Sequence, residues 1–186
     1  MRIRFSILIG AALSVAACDD GFGPQAWDDT PRVFTLFSAS RPDLLGQPSA
    51  FDAVSLQVVE VEAPSAAGNW DVVLGEQNGQ LVLIPAAAFE GQNSRDGIAT
   101  ITGQTFESLT EAPGDTARYS SAPVPIQTGG VYVLRTRRYA CSFSSASNFA
   151  KLLATAVDAA KGTASFSVVR NPYCNDRSFV PPEEED

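Results

Sequence analysis

The sequence contains no histidine. That absence removes Ser-His-Asp and Cys-His nucleophilic designs, histidine-ligated metals and any imidazole general base. Methionine occurs once, at Met1, within a segment read below as a removable leader, so a thioether ligand is lacking too. Lysine is scarce. Only Lys151 and Lys161 are available as a lysine base, and no Gly-x-Ser-x-Gly or Ser-x-x-Lys spacing supplies a serine with an activator. Glycine-rich phosphate motifs are missing, and so is an Asp-x-Asp-x-Asp-Gly calcium loop. Asp28 and Asp29 fall in a linker stretch, where a rigid cation cage does not form. No fixed-period repeat is visible. No catalytic residue, metal or cofactor is assigned, and the chain is read as non-enzymatic.

Long apolar runs are lacking as well. The N-terminal run from Phe5 to Leu13 falls short of the roughly 20 residues that a transmembrane helix needs. Arg2 and Arg4 open the chain, and Val15-Ala16-Ala17-Cys18 follows the run. A charged start, a short apolar core and small residues at the cut mark a secretory signal peptide over residues 1–17. Because the small residues end directly at a cysteine, the tetrad resembles the lipobox of bacterial lipoproteins. There the cysteine is acylated and becomes the new N-terminus. The expectation is cleavage before Cys18, lipid on Cys18, the bilayer as a partner, and a periplasmic or cell-surface place in the cell envelope. The alternative is an ordinary cleaved signal with a chance cysteine. Several acyl chains on one residue anchor firmly, at about 0.8 kcal/mol per buried CH₂.

There are three cysteines. With Cys18 lipidated, Cys141 and Cys174 remain as an even pair in an oxidising compartment, which predicts a disulfide. Two free buried thiols are the alternative. Without histidine, two sulfurs do not complete a zinc shell.

The formal net charge is −8, from 13 basic and 21 acidic residues. Removing Arg2 and Arg4 leaves 11 basic residues against 21 acidic ones, a charge of −10. That balance argues against nucleic acid, whose binding requires neutralisation of phosphates, and against docking on anionic lipid by charge.

Residues 18–31 read as the lipidated cysteine and a tether rich in glycine, proline and acid. Trp27 is the one tether residue able to dock on the domain. Residues 32–180 form the β-rich domain, and residues 181–186 an acidic tail. Within the domain, Arg32 to Phe37 alternates at period two, with Val33, Thr35 and Phe37 on one face and Phe34 and Leu36 on the other. Ala53 to Glu62 is read as a further alternating strand. Asn69 to Leu74 leads to a turn over Gly75 to Gln80, with Asn78-Gly79 as the hairpin signal. Leu81 to Ile84 stops at Pro85, after which Pro85 to Phe89 suits one helical turn. Gly97 to Thr102 and Val131 to Arg137 are two more strands. Residues 149–169 admit either a helix capped by Gly162 or a hairpin turning at Asp158 to Gly162. The hairpin is favoured, because Thr163 to Val169 alternates cleanly. The fold class predicted is all-β: a β-sandwich-like or open antiparallel β fold with short helical turns.

Three stretches taken together carry a family likeness. They are Gly68-Asn-Trp-Asp-Val-Val-Leu74, Gly103-Gln-Thr-Phe-Glu-Ser-Leu-Thr-Glu-Ala-Pro113, and Val131-Tyr-Val-Leu-Arg-Thr136 with Asn148-Phe-Ala-Lys-Leu152. In order and spacing, over roughly residues 50–170, they resemble the HmuY family of haem-binding bacterial lipoproteins. The resemblance implies an all-β, surface-exposed lipoprotein with a single ligand groove. Family members bind haem typically through axial histidines, sometimes methionines. Residues 18–186 have neither, so no haem ligand carries over. Tyrosine can ligate iron, but Tyr119, Tyr132, Tyr139 and Tyr173 are read as structural.

Other candidates are weighed by residue type. Glu60 and Glu62, two apart on the expected strand, share a face, as paired carboxylates do in glycosidases; a solvated edge is the simpler reading. Arg135 and Arg137 are expected on one strand face with Arg138 opposed, a fork for a carboxylate or phosphate ligand or an exposed strand end paired with surface acids. Tyr132 joins them as a speculative ligand residue, and Trp70, Phe106 and Tyr132 are candidates to line a pocket or fill the core. Ser142, Ser144, Ser145 and Ser147 suggest a solvated loop, and Asn171 to Arg177 a loop pinned by the bridge at Cys174. The function expected is a membrane-anchored, extracytoplasmic binding or interaction domain for a small ligand or envelope protein. A structural envelope protein is the alternative, and a carboxylate-based hydrolase the more remote one.

Overall fold

Among the described residues, period-two alternation is realised as two five-stranded antiparallel sheets packed face to face, with a separate two-stranded ribbon. The computed structural model describes residues 27–89, 96–141 and 144–182. The predicted leader, Cys18, the first part of the tether and the end of the acidic tail lie outside the described residues. The strands are β1 (Arg32–Phe37), β2 (Ala50–Asp52), β3 (Gln57–Val59), β4 (Val72–Gln77), β5 (Gln80–Pro85), β6 (Gly97–Ile101), β7 (Val124–Pro125), β8 (Val131–Arg135), β9 (Tyr139–Cys141), β10 (Ser144–Ala146), β11 (Phe149–Asp158) and β12 (Thr163–Arg170). One sheet runs β1-β12-β11-β8-β6 and the other β3-β2-β4-β5-β7, with β9 and β10 forming the ribbon. Among the described residues the helical content is single 3₁₀ turns; the turn expected after β5 is Ala86–Ala88, with Pro85 as its cap rather than its first residue. The all-β, sandwich-like class is therefore the fold of this protein.

The sheets enclose one apolar core. Leu36, Tyr132, Leu134, Leu152, Phe166 and Val168 reach it from the first sheet, and Phe51, Val72, Leu74, Leu81 and Leu83 from the second. Their neighbours along the strands face outward but are also covered. Val131, Val133 and Phe149 pack beneath Phe106, Leu109 and Phe179, and Val73 packs with Trp70, Ala66 and Ala86. Two-sided burial explains why Val131–Leu134 is apolar at every position rather than alternate ones.

Local chemistry sets the turns. Asn78 and Gly79 both take positive φ, 51° and 76°, the two-residue hairpin geometry that an Asn-Gly pair favours. β4 continues through Gly75 to Gln77, so the turn is tighter than the Gly75–Gln80 span expected. The segment after Phe149 is the hairpin of β11 and β12, not a helix. Asp158 Oδ1 accepts from Lys161 N at 3.0 Å and Gly162 adopts φ 67°, while Ala164, Phe166 and Val168 supply alternate side chains to the core.

The strand expected over Ala53–Glu62 is broken. Asp52 Oδ1 accepts from Val54 N at 3.0 Å, and Leu56 stands at φ 54°, so the chain reverses and returns as β3 against β2. Glu60 and Glu62 fall beyond β3, both exposed, and do not form a paired strand face. The serine-rich stretch also differs from a plain loop: Ser144–Ala146 pairs with Tyr139–Cys141, and Ser147 is buried.

Candidate functional site

Two places gather polar groups, one at each pole of the sandwich. The first lies where β8 ends and β4 begins. Asp71, just before β4, is fully buried. Its Oδ2 accepts from Ala53 N at 2.8 Å, its Oδ1 from Arg137 N at 2.7 Å, and the Arg137 guanidinium stands 3.1 Å from Oδ2. The same Nη1 lies 2.8 Å from Asp52 Oδ1, and Ser55 Oγ donates to Asp52 Oδ2 at 2.6 Å. Arg137 thus staples both acids of the second sheet to the end of the first.

The two carboxylates respond in opposite directions. Burial pushes Asp71 up to about 6, against the pull of Arg137 and two backbone N–H donors. Burial also raises Asp52, but hydrogen bonds from Arg137 and Ser55 outweigh it and hold the group below its ordinary value. The difference follows from solvent, since Asp71 has lost all of it and Asp52 keeps a little. Arg137 is held above its usual value because its carboxylate partners overcome the cost of burial.

Around this staple runs a hydrogen-bonded shell. Arg170 Nη1 donates to Val54 O at 2.6 Å. Asn148, fully buried, donates through Nδ2 to Asn171 O at 2.7 Å and receives the Tyr139 hydroxyl on Oδ1. Asn171 Nδ2 donates to Ser178 O at 2.8 Å and to Asp176 O at 3.1 Å, organising the Asn171–Arg177 loop. A disulfide joins Cys141 to Cys174, with the Cα atoms 6.5 Å apart, and pins the β9–β10 ribbon to that loop. Trp27, ahead of β1, meets the Tyr173 ring edge-on at 5.7 Å.

The second place is a recess of about 440 Å³ at the opposite pole. It opens between the start of β5, the end of β6, the chain after β7 and the far end of β11. Leu81, Ile126 and Val157 provide apolar wall, Gln80, Gln127, Thr100 and Thr102 provide uncharged polar groups, and among the described residues no charged one lines it.

The three speculative ligand residues do not converge. β8 ends at Arg135, so Arg135 and Arg137 do not share a strand face. The Arg135 guanidinium lies over the Tyr119 ring, 4.9 Å from its centre. Arg137 is neither an anion grip nor a surface pair, since its fork is occupied by Asp52 and Asp71. Tyr132 is buried, and its hydroxyl accepts from Gln127 N at 3.2 Å and donates to Pro125 O at 3.4 Å; of the three it alone borders the recess. Trp70, Phe106 and Tyr132 fill three separate apolar clusters rather than one pocket. Asp52 and Asp71 share one arginine and do not flank a cleft as glycosidase carboxylates do. Among the described residues no group of three or more His, Cys, Asp or Glu is placed to hold a metal ion.

Asp71, Asn148 and Lys151 escaped the reading of the sequence as site residues. Asp71 carried a usable signal, as a lone acid inside the apolar run Trp70–Leu74. Lys151 is buried on the outer face of β11, where its Nζ donates to Phe106 O at 2.9 Å and Leu109 O at 3.1 Å. Its apolar surroundings lower its pKa, while Glu107 and Asp29 pull the other way. No family model, curated protein or solved structure matches the chain.

Proposed function

We propose that this chain is a lipid-anchored bacterial envelope lipoprotein: residues 1–17 are removed, Cys18 is acylated, and the β-sandwich works outside the cytoplasm as a non-enzymatic binding domain. The observation that carries the reading is the register of Arg2, Arg4, the Phe5–Leu13 run and Val15-Ala16-Ala17-Cys18. The Cys141–Cys174 disulfide supports it, because such bridges persist in oxidising compartments. The ionisable groups that the fold buries also support a binding role. Asp52, Asp71, Arg137 and Lys151 are engaged by groups of the protein itself, while the recess is lined by uncharged side chains, a suitable surface for recognition without acid–base chemistry.

The test is to express the full chain in a bacterium supplied with radiolabelled palmitate. The expected result is label in the wild type, none in Cys18→Ala, and a mass for the first peptide that begins at acylated Cys18. An unlabelled chain that retains Met1 in the cytosol overturns the reading.

A further inference from the structure

We propose that the free edge of β6 at Thr100, together with the recess beside it, binds an extended peptide segment of a partner protein by strand addition, one uncharged side chain of that peptide entering the recess. The assignment rests on the reading of the domain as a binding module and names its site and ligand class.

The backbone directions on β6 carry the first part. Ile98 N donates to Ser120 O at 3.0 Å, and Ser120 N donates back to Ile98 O at 2.9 Å. Ile98 therefore turns its N–H and C=O away from β8. Backbone direction alternates along an antiparallel strand, so Thr100 turns the same way. On the Thr100 side of this bridge antiparallel register would set Arg118 opposite Thr100, but Arg118 closes the 3₁₀ turn Thr116–Arg118 and makes no bridge to β6, and beyond Ser120 the chain enters the other sheet as β7. Among the described residues no backbone group meets Thr100 on that side. An open edge of this kind is a template for another strand, and the Ser120 bridge shows that it accepts one in antiparallel orientation.

The side chains carry the second part. Thr100 shares its strand face with Ile98, which is in the core between the sheets. Yet Thr100 is exposed, so the sandwich opens at this corner, and the opening is the recess of about 440 Å³. A strand added along Thr100 presents alternate side chains to that space. Leu81, Ile126 and Val157 offer apolar contact, and Gln80 and Gln127 offer hydrogen bonds. With no charged residue in the lining among the described residues, a charged side chain would lose its water without a counter-ion. The net charge of −8 disfavours an acidic peptide and a second copy of this chain as occupant.

The probe is a display library of random linear twelve-residue peptides selected on the purified full chain. The recovered peptides are expected to be uncharged at the seated position and to slow hydrogen exchange of the Thr100 amide. Thr100→Pro deletes only the outward N–H and spares the ladder to β8; it is expected to weaken binding at least tenfold. Thr35→Pro is the matched control on β1, the opposite edge of the same sheet, and is expected to leave affinity unchanged. Gln127→Glu, which alters no strand pairing, is expected to weaken binding at least fivefold by placing a carboxylate in the recess. Recovery of no peptide, affinity indifferent to both Thr100→Pro and Gln127→Glu, or sedimentation showing a dimer that Thr100→Pro dissolves each overturns the proposal. A neutral small molecule that binds with no response to Thr100→Pro also overturns it, yet leaves the binding-module reading intact. Loss of palmitate label removes the anchor without touching the peptide result.

Discussion

Arg137 and Asp71, 66 positions apart, are joined twice: the Arg137 N–H donates to Asp71 Oδ1 at 2.7 Å, and its guanidinium lies 3.1 Å from Oδ2. The contact binds the end of β8 to the start of β4 and so fixes one sheet against the other. A buried pair adds little beyond what a well-packed apolar replacement would give, but breaking it leaves an uncompensated charge.

Arg137→Met should therefore destabilise the fold by about 3–5 kcal/mol, since Asp71 is fully buried and Asp52 nearly so. Urea unfolding monitored by tryptophan fluorescence measures this. A loss below about 1 kcal/mol would show that the staple is dispensable and that Asp71 is accommodated as the neutral acid.

The pH dependence of this site has a defined sign. Asp71 is raised to about 6 from 3.8, so the folded state holds its proton more tightly than the unfolded state. Its contribution favours folding below about pH 4 and is progressively lost as pH rises to about 6. At about 1.4 kcal/mol per pH unit the loss is at most roughly 3 kcal/mol. Asp52 has the opposite sign: its pKa is lowered, and its stabilisation disappears as pH falls below the ordinary carboxylate range. Asp71→Asn should accordingly gain stability relative to wild type as pH rises from 4 to 6. Paired urea titrations across that window test it, and a constant difference would mean that Asp71 titrates normally.

The disulfide links residues 33 positions apart. The chain-entropy argument assigns a loop of this size about 3–4 kcal/mol. The double variant Cys141→Ser, Cys174→Ser should lose that much, and the wild type under reducing conditions should match it. Non-reducing mass spectrometry provides the direct check: the native protein should yield one cross-linked peptide, whereas alkylation at both Cys141 and Cys174 would refute the bridge in solution.

Much of the fold was legible because its signals are local. Phe34 and Leu36 face the core as period two requires, Asn78-Gly79 turns where its positive φ is allowed, and the alternation of Ala164, Phe166 and Val168 chose hairpin over helix. The break at Ala53–Leu56 was hidden because Val54 and Leu56 continue an apolar pattern while Asp52 caps a turn beneath it. The ionic staple was illegible for a different reason. Asp52 and Arg137 stand 85 positions apart, and only the packing of the sheet that holds β2 and β4 on the sheet that holds β8 brings them together. The same holds for the recess, whose walls come from both sheets.

Lys151 tethers the loop after β6 to the outer face of β11 through two carbonyls, Phe106 O and Leu109 O. Lys151→Met keeps most of the side-chain volume and leaves both acceptors without that donor. The expected cost is about 1–3 kcal/mol, concentrated in the loop rather than spread over the sandwich. Hydrogen exchange should accelerate at the Leu109 amide, which donates to Thr105 O, while the β8–β11 ladder stays protected. Uniform acceleration would assign Lys151 to global stability instead.

The resemblance to haem-binding lipoproteins yields a prediction with a negative sign. With Cys141 and Cys174 joined in a disulfide and Cys18 the expected lipid site, tyrosine is the remaining side chain with a precedent for haem iron, and three of the four are engaged. Tyr132 donates to Pro125 O, Tyr119 donates to Pro113 O at 3.0 Å and is pushed up to about 12 by burial, and Tyr139 donates to Asn148. A phenol ligates iron as the phenolate, and burial opposes that ionisation at Tyr119, Tyr132 and Tyr139. Titration of the purified full chain with haem should therefore give no Soret shift. A tight shift abolished by Tyr173→Phe would locate an iron ligand on the disulfide-pinned loop, where Tyr173 lies against Trp27, and would overturn this prediction.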